Sequence, residues 1–532
     1  RSPHSWSSAS WPSARRGASK AEVSNKSRTE FEHYHDDAVK KHLPKPGPGG
    51  FSRGCFIGWR RADRYQLSAS SFDINDLYEV KDMLGEGGFG QVHAATHRRT
   101  GEMVAIKALP KDKMRDMEVL QTEVEFLKVA DHPNVIRYYE TFEDMTHLYL
   151  VMEMCSGGSL SEHIKAAHEN HGPGMQERDL ARVMVQMLRS VAYCHHHSIV
   201  HRDLKPQNFI FGCGSPLEGS ESPMPISCCG HDDAPLKLVD FGISGVVRCD
   251  KPGKRLLTMR AGTDGYMAPE VLESQPYGPK ADIFSLGAVM HTMVVGMAPR
   301  WDMDKKAYAF PGRIRWRKLS PEGQAFIARL VHQDPDMRPT ATEAMEDPWL
   351  EAMGVKKPED VAALFDACIS TVSRFSRRSK LQRSIMYSMV AFAPLHNYYM
   401  ERLRSAFLAA NKGVSGGLTP EEFAVVANSH AEPVDAEALF DAVNSSHSGR
   451  ISYSEWLAAA APQAWYDRNA YARRAFDTLD VTGDGFVRAA DLCQVLPDVF
   501  QLQDVEHEIR CINPTGDGRL TFKDFCSLSK TL

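Results

Sequence analysis

The chain has 532 residues, which at about 100–200 residues per domain predicts two to four domains. Its hydrophobic fraction of 42% supports a sizeable core and excludes a wholly disordered, collagen-like or coiled-coil protein. The net charge of −5 argues against a general nucleic-acid binder, and no run of 18 apolar residues indicates a transmembrane helix. The charge is uneven, because residues 401–532 contain 12 basic and 19 acidic residues while the rest is nearly neutral. This acidic C-terminal part calls for a search for cation sites.

The eleven cysteines are scattered and form no CxxC pair, which is typical of a reducing compartment, so we expect a cytoplasmic protein. Cys213, Cys228, Cys229 and His231 lie close together, but their spacing matches no zinc template and favours free thiols in a loop. Residue 1 is Arg and not Met, so we expect the true N-terminus to be missing, and membrane association through absent residues stays open.

Composition divides the first half of the chain. Residues 1–71 are poor in large aliphatic residues and rich in Ser, Arg, His, Pro and Gly, which predicts a disordered extension. An ordered domain is expected from residue 72. Short apolar runs between residues 77 and 110 predict strands, and a helical period follows from about residue 113. The Gly-, Ser-, Pro- and Cys-rich segment 212–235 predicts a surface insertion.

The first chemical motif is the glycine-rich segment 85–92, which lies between two strand-like runs. Glycines let a backbone fold closely over phosphate oxygens, although such a segment alone is more often an ordinary turn. Lys107 ends the next apolar strand, where burial of its charge requires an anionic partner such as a phosphate or a carboxylate. Glu123, in the following helical stretch, can supply that carboxylate.

The second motif, residues 201–208, contains the groups that phosphoryl transfer requires. Asp203 can accept a hydroxyl proton, Lys205 can neutralise a transferring phosphoryl group, and Asn208 can hold a metal. Asp240 follows a strand-like run and is a second oxygen ligand suited to Mg²⁺.

With these motifs in order, residues 76–350 resemble a eukaryotic protein kinase domain. The resemblance implies a catalytic set of Lys107, Glu123, Asp203, Lys205, Asn208 and Asp240, in which Asn208 and Asp240 bind Mg²⁺. It implies ATP-binding positions at Gly85, Gly87, Gly90, Val92, Ala105, Lys107, Glu153 and Cys155, with Met152 as the gatekeeper and backbone groups of Glu153 and Cys155 binding adenine. Lys205, two residues after Asp203, and Thr263 indicate the Ser/Thr branch. Protein substrates are therefore expected partners.

Two features refine this prediction. A pseudokinase would keep the fold without the chemistry, but the key residues are all present, namely Lys107, Glu123, Asp203, Asn208 and Asp240. Ser159 and Gln207 occupy positions that are often acidic in kinases with basic substrates, so a preference for arginine near the phosphorylated residue is disfavoured. Arg202 could bind a phosphate on Thr258, although an unmodified surface threonine is the favoured interpretation.

An internal repeat follows residue 401, with twelve-residue windows that start at residues 411, 444, 480 and 513. EF-hand loops supply oxygens from positions 1, 3, 5, 7, 9 and 12 and have Gly at position 6. The third and fourth windows predict Ca²⁺ ligands at Asp480, Thr482, Asp484, Phe486, Asp491, Asn513, Thr515, Asp517, Arg519 and Asp524. Both windows close with Asp where Glu is usual, which predicts weaker Ca²⁺ binding or stronger competition from Mg²⁺.

The first two windows, 411–422 and 444–455, keep the turn glycine and the final glutamate but have no other carboxylate at a ligand position. Too few charges remain to offset the dehydration of Ca²⁺, so we interpret both loops as structural. The four windows as a set predict an EF-hand domain with two pairs of loops.

Residues 371–383 contain five basic and no acidic residues. Phe375, Leu381, Ile385 and Met389 add apolar anchors, so the segment predicts a basic amphipathic helix of the kind that calmodulin-like grooves bind. A solvated linker helix or a membrane-surface helix would give the same pattern.

The whole arrangement over residues 76–532 resembles the calcium-dependent protein kinases of plants and protists. The resemblance implies an α+β chain with a two-lobed protein kinase fold at 72–350, whose N-lobe extends to about residue 153. A regulatory junction at 351–400 and an all-α, calmodulin-like EF-hand domain at 401–532 would follow.

In that family the junction holds the kinase inactive until Ca²⁺ binds the EF-hand domain, which then takes hold of the junction. Deleting residues 351–532 is therefore predicted to give activity that does not depend on Ca²⁺. Two alternatives stay open: a kinase whose EF-hands serve only as a docking scaffold, and a Ca²⁺-sensing pseudokinase scaffold.

Overall fold

The structure is a computed structural model of the chain. It describes residues 74–87, 90–113, 126–169, 174–212, 234–242, 245–246, 257–310, 316–355, 361–392, 398–413, 415–495, 502–513 and 518–530. Several predictions lie outside the described residues: the extension at 1–71, most of the insertion at 212–235 with its cysteines, Glu123, Thr515 and Asp517.

The N-lobe is a five-stranded antiparallel sheet in the order β1-β2-β3-β5-β4. Its elements are helix α1 (Ile74–Leu77) and strands β1 (Tyr78–Gly87), β2 (Gly90–His97), β3 (Met103–Pro110), β4 (Tyr138–Glu143) and β5 (His147–Glu153). Strand β3 is buried almost throughout, because β2 and β5 pair with its two edges. Lys107 lies inside this central strand, which continues to Pro110, so the prediction that Lys107 ends the strand is wrong, while its burial agrees with the expected need for an anionic partner.

The C-lobe is mainly helical. Its helices are α2 (Leu160–His168), α3 (Glu177–His196), α4 (Pro269–Leu272), α5 (Lys280–Val295), α6 (Pro321–Leu330), α7 (Ala341–Met345) and α8 (Pro348–Ala352). Its short strands pair as β6 (Ile199–Val200) with β9 (Gly245–Val246), β7 (Phe209–Phe211) with β8 (Leu236–Leu238), and β10 (Arg300–Asp302) with β11 (Ala307–Ala309). Helix α5 is apolar all round and buried, and it ends at Gly296 in a left-handed conformation that suits glycine.

A buried ion pair fixes α4, the short helix that follows the segment containing Thr263. Arg338 donates two hydrogen bonds to the carboxylate of Glu270, at 2.7 and 2.8 Å, and its guanidinium lies over the ring of Phe284. Removing one partner of such a pair costs about 3–5 kcal/mol, because the other charge is left buried. The pair therefore also restrains the segment before α4, in which Thr263 contacts Asp203.

The remainder is helical with short paired strands. Its helices are α9 (Val361–Ser376), α10 (Lys380–Phe392), α11 (Tyr398–Ala410), α12 (Pro420–Ala427), α13 (Ala436–Val443), α14 (Tyr453–Ala460), α15 (Gln463–Tyr466), α16 (Asn469–Leu479), α17 (Ala489–Val495), α18 (Leu502–Ile512) and α19 (Phe522–Lys530). Strand β12 (Gly417–Leu418) pairs with β13 (Ile451–Ser452), and β14 (Val487–Arg488) pairs with β15 (Arg519–Leu520). The four loops thus form two pairs, as predicted, and the aliphatic residue at position 8 of each loop faces its counterpart.

The junction is embedded in the EF-hand core. Phe375 on α9 and Leu381, Ile385 and Met389 on α10 are all buried in one apolar cluster that extends from Leu364 to Leu528. The four predicted anchors are therefore core residues of a shared helical body, and the solvated-linker interpretation does not describe this arrangement.

The predicted single junction helix is two helices. Residue Ser379 begins the second: its hydroxyl accepts from the N–H of Gln382, and the Gln382 side chain accepts from the N–H of Ser379. This reciprocal arrangement is a capping box. Arg378, just before it, is buried and donates to the carbonyl oxygens of Leu528 and Ser529 near the end of α19. A helix C-terminus attracts a cation, so the turn between α9 and α10 is held by the EF-hand helices.

Candidate active site and cation loops

Short hydrogen bonds connect Asp203, in the catalytic loop, with Lys205 and Asn208 of the same loop and with Thr263. Lys205 Nζ donates to Asp203 Oδ2 at 2.7 Å, and the Thr263 hydroxyl donates to Asp203 Oδ1 at 2.6 Å. Lys205 Nζ also donates to the Thr263 hydroxyl at 2.9 Å. Asn208 Nδ2 donates to the carbonyl oxygen of Asp203 at 2.8 Å, which fixes the amide and leaves Oδ1 as the atom that would bind the predicted metal. The structure therefore brings together Asp203, Lys205, Asn208 and Thr263, and the direct contact of Thr263 with Asp203 was not predicted.

Asp282, near the start of α5, holds the backbone of the catalytic loop (residues 201–208). Its carboxylate accepts from the main-chain N–H groups of His201 and Arg202, each at 2.9 Å, and lies 2.8 Å from His195 Nε2. Burial opposes ionisation, but the contact with His195 and the N–H donors outweigh it and hold the pKa of Asp282 below its ordinary value. Arg202 has a positive φ of 70°, which is a strained conformation for a residue other than glycine. The hydrogen bond from its N–H to the Asp282 carboxylate helps to hold the backbone in this conformation.

Lys107 and Asp240 form an ion pair in the cleft between the lobes. Lys107 Nζ donates to Asp240 Oδ1 at 2.8 Å, and Lys107 is buried. Burial alone would raise the pKa of Asp240, but the Lys107 charge and hydrogen bond hold it below its ordinary value. Asp240 is therefore ionised at neutral pH, as a ligand for Mg²⁺ must be. Its φ of 62° turns the strand end so that Phe241 is buried against Phe126 and His201.

The β1–β2 hairpin adjoins β3, the strand of Lys107, and it contains Gly85, Gly87, Gly90 and Val92. Gly87 pairs with Gly90 across the turn, and Val92 pairs with Lys107 on β3. A Cβ atom at Gly90 would lie 2.0 Å from the carbonyl oxygen of Ala108, so only glycine allows this approach of the two strands. The glycine-rich hairpin therefore adjoins Lys107 through the Val92–Lys107 pair, and a glycine backbone there can approach phosphate oxygens closely.

The adenine end of the cleft is formed by β3 and the end of β5. Ala105 is buried and pairs with Met152. Glu153 donates its main-chain N–H to the carbonyl oxygen of Arg137 at 2.9 Å, so this N–H is already used within the protein. The Glu153 side chain is buried and pairs with Lys237 Nζ at 2.8 Å, a contact that sequence reasoning missed. Cys155 lies partly buried just after the strand.

A cavity of about 400 Å³ lies beside the catalytic loop, between α2 and the end of α5. Pro206 and Tyr266 line it on the catalytic side, and Thr292 lines it on α5. Among the described residues, Glu169 is the one carboxylate that lines it, and it lies 3.9 Å from the ammonium group of Lys165, which also lines the cavity. The described lining of the cavity therefore has no surplus negative charge, and this supports the prediction from Ser159 and Gln207 that arginine is not preferred there.

The third EF-hand loop offers three carboxylates. Asp480 accepts main-chain N–H groups from Gly483, Asp484 and Gly485, and Asp491 accepts from the N–H of Arg488. Gly485, at position 6, has φ of 86°, which the sharp turn requires. With Thr482 and the Phe486 carbonyl, these are hard oxygen donors suited to Ca²⁺. Within the described residues, no three acidic, His or Cys side chains converge closely enough to hold an ion, so a cation would have to draw them together.

Arg488 is an unexpected member of this loop. It lies at position 9, and its Nη2 is 2.6 Å from Asp484 Oδ2. The other three loops have Thr or Ser at that position. The bond to Arg488 lowers the pKa of Asp484, so the guanidinium holds one of the three carboxylates that a divalent cation would need.

The fourth loop is described at Asn513 and from residue 518 onward. Asn513 Nδ2 donates to the carbonyl oxygen of Arg519 at 3.3 Å, and Asp524 accepts from the N–H of Thr521 at 2.9 Å. The Arg519 guanidinium lies 4.2 Å from the centre of the Phe486 ring, so only its carbonyl can act as a ligand.

The first two loops are closed by their own hydrogen bonds. Glu422 accepts from the N–H groups of Lys412 and Gly413, at 2.7 and 2.9 Å, and Glu455 accepts from those of Ser446 and Ser452, at 2.9 and 2.8 Å. In each loop the carbonyl oxygen at position 7 also accepts from a side chain of the same loop. Because neither loop offers a carboxylate at any ligand position other than the last, the structural interpretation of both loops is supported.

The fold and these sites define the class of protein. The protein kinase domain family matches residues 78–350, and the EF-hand domain pair matches residues 470–530. Calcium-dependent protein kinase 22 of Oryza sativa subsp. japonica is 30% identical over 489 residues, which cover 88% of this chain and 77% of that protein. Calcium-dependent protein kinase 32 of Arabidopsis thaliana is 29% identical over 476 residues, covering 86% and 83%. Calcium-dependent protein kinase 9 of Oryza sativa subsp. japonica is 28% identical, covering 86% and 78%.

The chain belongs to the calcium-dependent protein kinase family, which confirms the predicted resemblance. It is a serine/threonine protein kinase with an α+β, two-lobed catalytic domain followed by helical EF-hands. The two scaffold alternatives are not favoured. No helix within the described part of the chain combines the length and apolarity needed to cross a membrane.

Proposed function

We propose that this kinase transfers the γ-phosphoryl group of ATP to serine or threonine hydroxyls of proteins, under the control of Ca²⁺. The observation that supports it most directly is the set of hydrogen bonds among Asp203, Lys205 and Thr263, which lies beside the Lys107–Asp240 pair. Asp203 can accept a proton, the ammonium groups of Lys107 and Lys205 can face phosphate groups, and Asp240 can hold a metal.

Each residue then has a physical role. Asp203 orients the substrate hydroxyl and accepts its proton, and Lys205 lies where charge develops on the transferring group. Lys107 holds the α- and β-phosphates, and Thr263 fixes the rotamer of Asp203. Mg²⁺, held by Asn208 and Asp240, would neutralise negative charge on the phosphate oxygens. Before nucleotide binds, Lys107 and Asp240 neutralise each other, so neither charge is buried alone.

Control by Ca²⁺ is assigned to the second EF-hand pair. The third loop has the strongest donor set, and the fourth loop is joined to it through β14 and β15. We propose that the domains fall at residues 72–350, 351–400 and 401–532, and that the junction inhibits the kinase when the EF-hands release it. In the described arrangement both junction helices lie in the EF-hand core, as that mechanism requires of the active state.

The catalytic assignment is tested with Asp203→Asn. We expect phosphate transfer from radiolabelled ATP to fall by at least about a thousandfold, because the proton acceptor is lost while the fold is kept. Binding of a fluorescent ATP analogue should be retained. Asp304→Asn, the same change at an exposed turn, should leave the rate unchanged. Persisting transfer in Asp203→Asn would refute the assignment.

The regulatory assignment is tested by measuring phosphorylation of a generic protein substrate in Ca²⁺ and in chelator. Activity only with Ca²⁺ is the expected result. Equal activity in both would indicate EF-hands that do not regulate the kinase. No activity in either would indicate a scaffold.

A further inference from the structure

A buried ion pair joins the end of β5 in the N-lobe to β8 in the C-lobe. Lys237 Nζ lies 2.8 Å from Glu153 Oε1, and the two side chains are 5% and 2% exposed. The same carboxylate oxygen accepts the main-chain N–H of Arg137 at 2.7 Å. One atom therefore holds three segments of the chain in fixed positions relative to one another.

The stability of the fold alone does not explain a charged pair at this position. Taking two charges out of water is costly, and two apolar side chains of similar volume often stabilise a core equally well. An ion pair differs from an apolar contact because its atoms must meet at a short, defined distance. The pair is therefore better explained by the placement of the segments that it joins.

On the C-lobe side, the pair is connected to the proposed Mg²⁺ ligands. Lys237 lies three residues before Asp240 and pairs with Ile210 of β7. Val239, between Lys237 and Asp240, donates its N–H to the carbonyl oxygen of Asn208 at 2.9 Å. A shift of Lys237 would therefore move Asp240 and Asn208 with it, because paired backbone connects all three.

On the N-lobe side, the pair is connected to Lys107. Glu153 pairs with Val104 of β3, and Lys107 lies three residues further along the same strand. Lys107 Nζ in turn donates to Asp240 Oδ1 at 2.8 Å. Two ion pairs of opposite polarity thus join the lobes, because the N-lobe supplies the cation of Lys107–Asp240 and the anion of Glu153–Lys237.

Nucleotide binding would affect these two pairs differently. In the proposed function, Lys107 holds phosphate groups and Asp240 holds Mg²⁺, so the bond between them must open when both ligands bind. Glu153 and Lys237 have no such role for their charges, and both side chains are shielded from water. Their ion pair can therefore persist while Lys107 and Asp240 separate.

We infer that Glu153 and Lys237 are positioning residues, whose ion pair keeps Asp240 aligned with the N-lobe sheet after the Lys107–Asp240 bond has opened. The inference rests on the proposed roles of Lys107 and Asp240. Without the pair, β8 would have to be ordered against the N-lobe when Mg²⁺ and nucleotide bind, and that ordering would reduce their affinity. The loss should fall on ATP and Mg²⁺ and not on the protein substrate.

The double variant Glu153→Gln/Lys237→Met tests the inference, because it removes both charges and leaves neither buried alone. Binding of a fluorescent ATP analogue to the full chain is measured at constant Ca²⁺, with and without Mg²⁺. We expect the increase in affinity that Mg²⁺ provides to fall about tenfold, and KM for ATP to rise about tenfold, with KM for the protein substrate changed less than about twofold. A fall in kcat with both KM values and the effect of Mg²⁺ unchanged would indicate a merely structural role and overturn the inference.

A surface pair in the N-lobe provides the control. Lys111 Nζ lies 2.5 Å from Glu143 Oε1, and both side chains are partly exposed. Lys111→Met/Glu143→Gln removes the same two charges from within one lobe, so we expect the effect of Mg²⁺ on affinity to change less than about twofold. An equal loss in the two double variants would overturn the inference.

A single variant covers the case in which the double variant does not fold. Glu153→Gln keeps the side-chain volume and the oxygen that accepts the Arg137 N–H, and it removes only the charge that faces Lys237. We expect KM for ATP to rise at least about threefold. An unchanged KM for ATP would overturn the inference.

Asp240→Asn separates the inference from the proposed function. We expect this variant and Glu153→Gln/Lys237→Met both to lose the increase in affinity that Mg²⁺ provides. If Asp240→Asn keeps the full increase, Asp240 is not a metal ligand, and the proposed role and the inference fail together. If Asp240→Asn loses the increase while the double variant keeps it, only the inference is overturned.

Discussion

At the scale of single residues, Arg488 sets the chemistry of the third EF-hand loop. Its guanidinium is bound to Asp484, and the opposite residue of the strand pair is Arg519, a second cation. Like charges placed opposite each other are unfavourable, and a divalent ion would add further positive charge. The loop thus carries its own cation, which Ca²⁺ must displace.

We predict that Arg488→Ser tightens Ca²⁺ binding about tenfold, because it removes a positive charge close to a divalent ion and frees Asp484. Calorimetric titration of the full chain measures this directly. Arg510→Ser removes the same charge from exposed helix α18 and should change the affinity less than about twofold. Weaker binding by Arg488→Ser would show instead that the guanidinium stabilises the loop.

Glu455 gives a prediction about pH. Burial raises the pKa of its carboxyl to about 7, against the lowering effect of its N–H donors. Its folded-state pKa lies above the ordinary value of 4.5, so the stability that it contributes is complete below pH 4.5 and is lost as the pH rises through 7. Thermal unfolding between pH 5 and pH 8 should show this loss in the wild type and much less of it in Glu455→Gln. Identical pH profiles of the wild type and Glu455→Gln would show that a group other than Glu455 titrates in this range.

The sequence identifies the catalytic residues better than their partners. Asp203, Lys205, Asn208 and Asp240 belong to ordered motifs, so their types and spacing suffice. The bonds of Thr263 to Asp203 and of Lys237 to Glu153 join segments far apart in the chain, and nothing in a local pattern specifies them. The sequence shows that Arg488 is a cation at a ligand position, but its contact with Asp484 is seen only in the three-dimensional structure.

At the scale of elements, helix α16 connects the third loop to the N-lobe. Arg474 is buried, with Nη1 2.7 Å from Glu102 Oε2 and Nη2 3.3 Å from the Tyr78 hydroxyl. Its guanidinium also lies over the rings of Tyr139 and Phe392. Burial opposes the charge, but Tyr78 and Glu102 outweigh it and raise the pKa of Arg474. The helix that ends just before Asp480, the first predicted Ca²⁺ ligand, is therefore anchored to the kinase sheet.

We predict that Arg474→Met lowers the free energy of unfolding by about 3–5 kcal/mol, because Glu102 is left buried without its cation. Urea denaturation measures the loss. Adding Glu102→Gln to Arg474→Met should cost less than the sum of the single changes, since the pair acts as a unit. Arg473→Met, at a neighbouring and partly exposed residue, should cost less than about 1 kcal/mol. Equal costs at the two arginines would contradict the anchor.

The helices illustrate what periodicity can and cannot predict. The basic amphipathic pattern predicts that the junction is helical and apolar on one face, and both hold. The break at Ser379 has a sequence signal in the Ser–Gln capping box, but an apolar spacing that continues across it favours one helix. The burial of Arg378 against helix-end carbonyls could not be predicted, because exposed and buried arginines look alike in a sequence.

At the scale of the whole molecule, removal of the EF-hand part tests whether the junction inhibits the kinase. Met353 and Val355 pack against the C-lobe core, so the cut belongs after Val355. We expect the chain without residues 356–532 to phosphorylate a protein substrate equally in Ca²⁺ and in chelator, because nothing remains to block the cleft. The same deletion carrying Asp203→Asn is the control for a contaminating kinase. A deletion protein less active than the chelated full chain would show that the docked EF-hands support the kinase.

The order of the large units follows from the sequence, because each unit has its own periodicity and motifs. Their mutual placement does not, since contacts such as Ser454 with Asp131 and Arg474 with Glu102 join residues more than 300 positions apart. Single side chains determine such interfaces, and periodicity contains no information about them.

The position of Arg137 has a consequence for nucleotide affinity. Its main chain exchanges two hydrogen bonds with Glu153 at the adenine end of the cleft, while its side chain donates to Val390 of the junction and to Ser454. One residue thus joins the adenine end of the cleft to the junction and the EF-hands. If docking strengthens ATP binding by some factor, thermodynamic linkage requires ATP to strengthen docking by the same factor. A kinase loaded with nucleotide would then hold its EF-hands more tightly, and the cellular supply of ATP would itself bias the response to Ca²⁺.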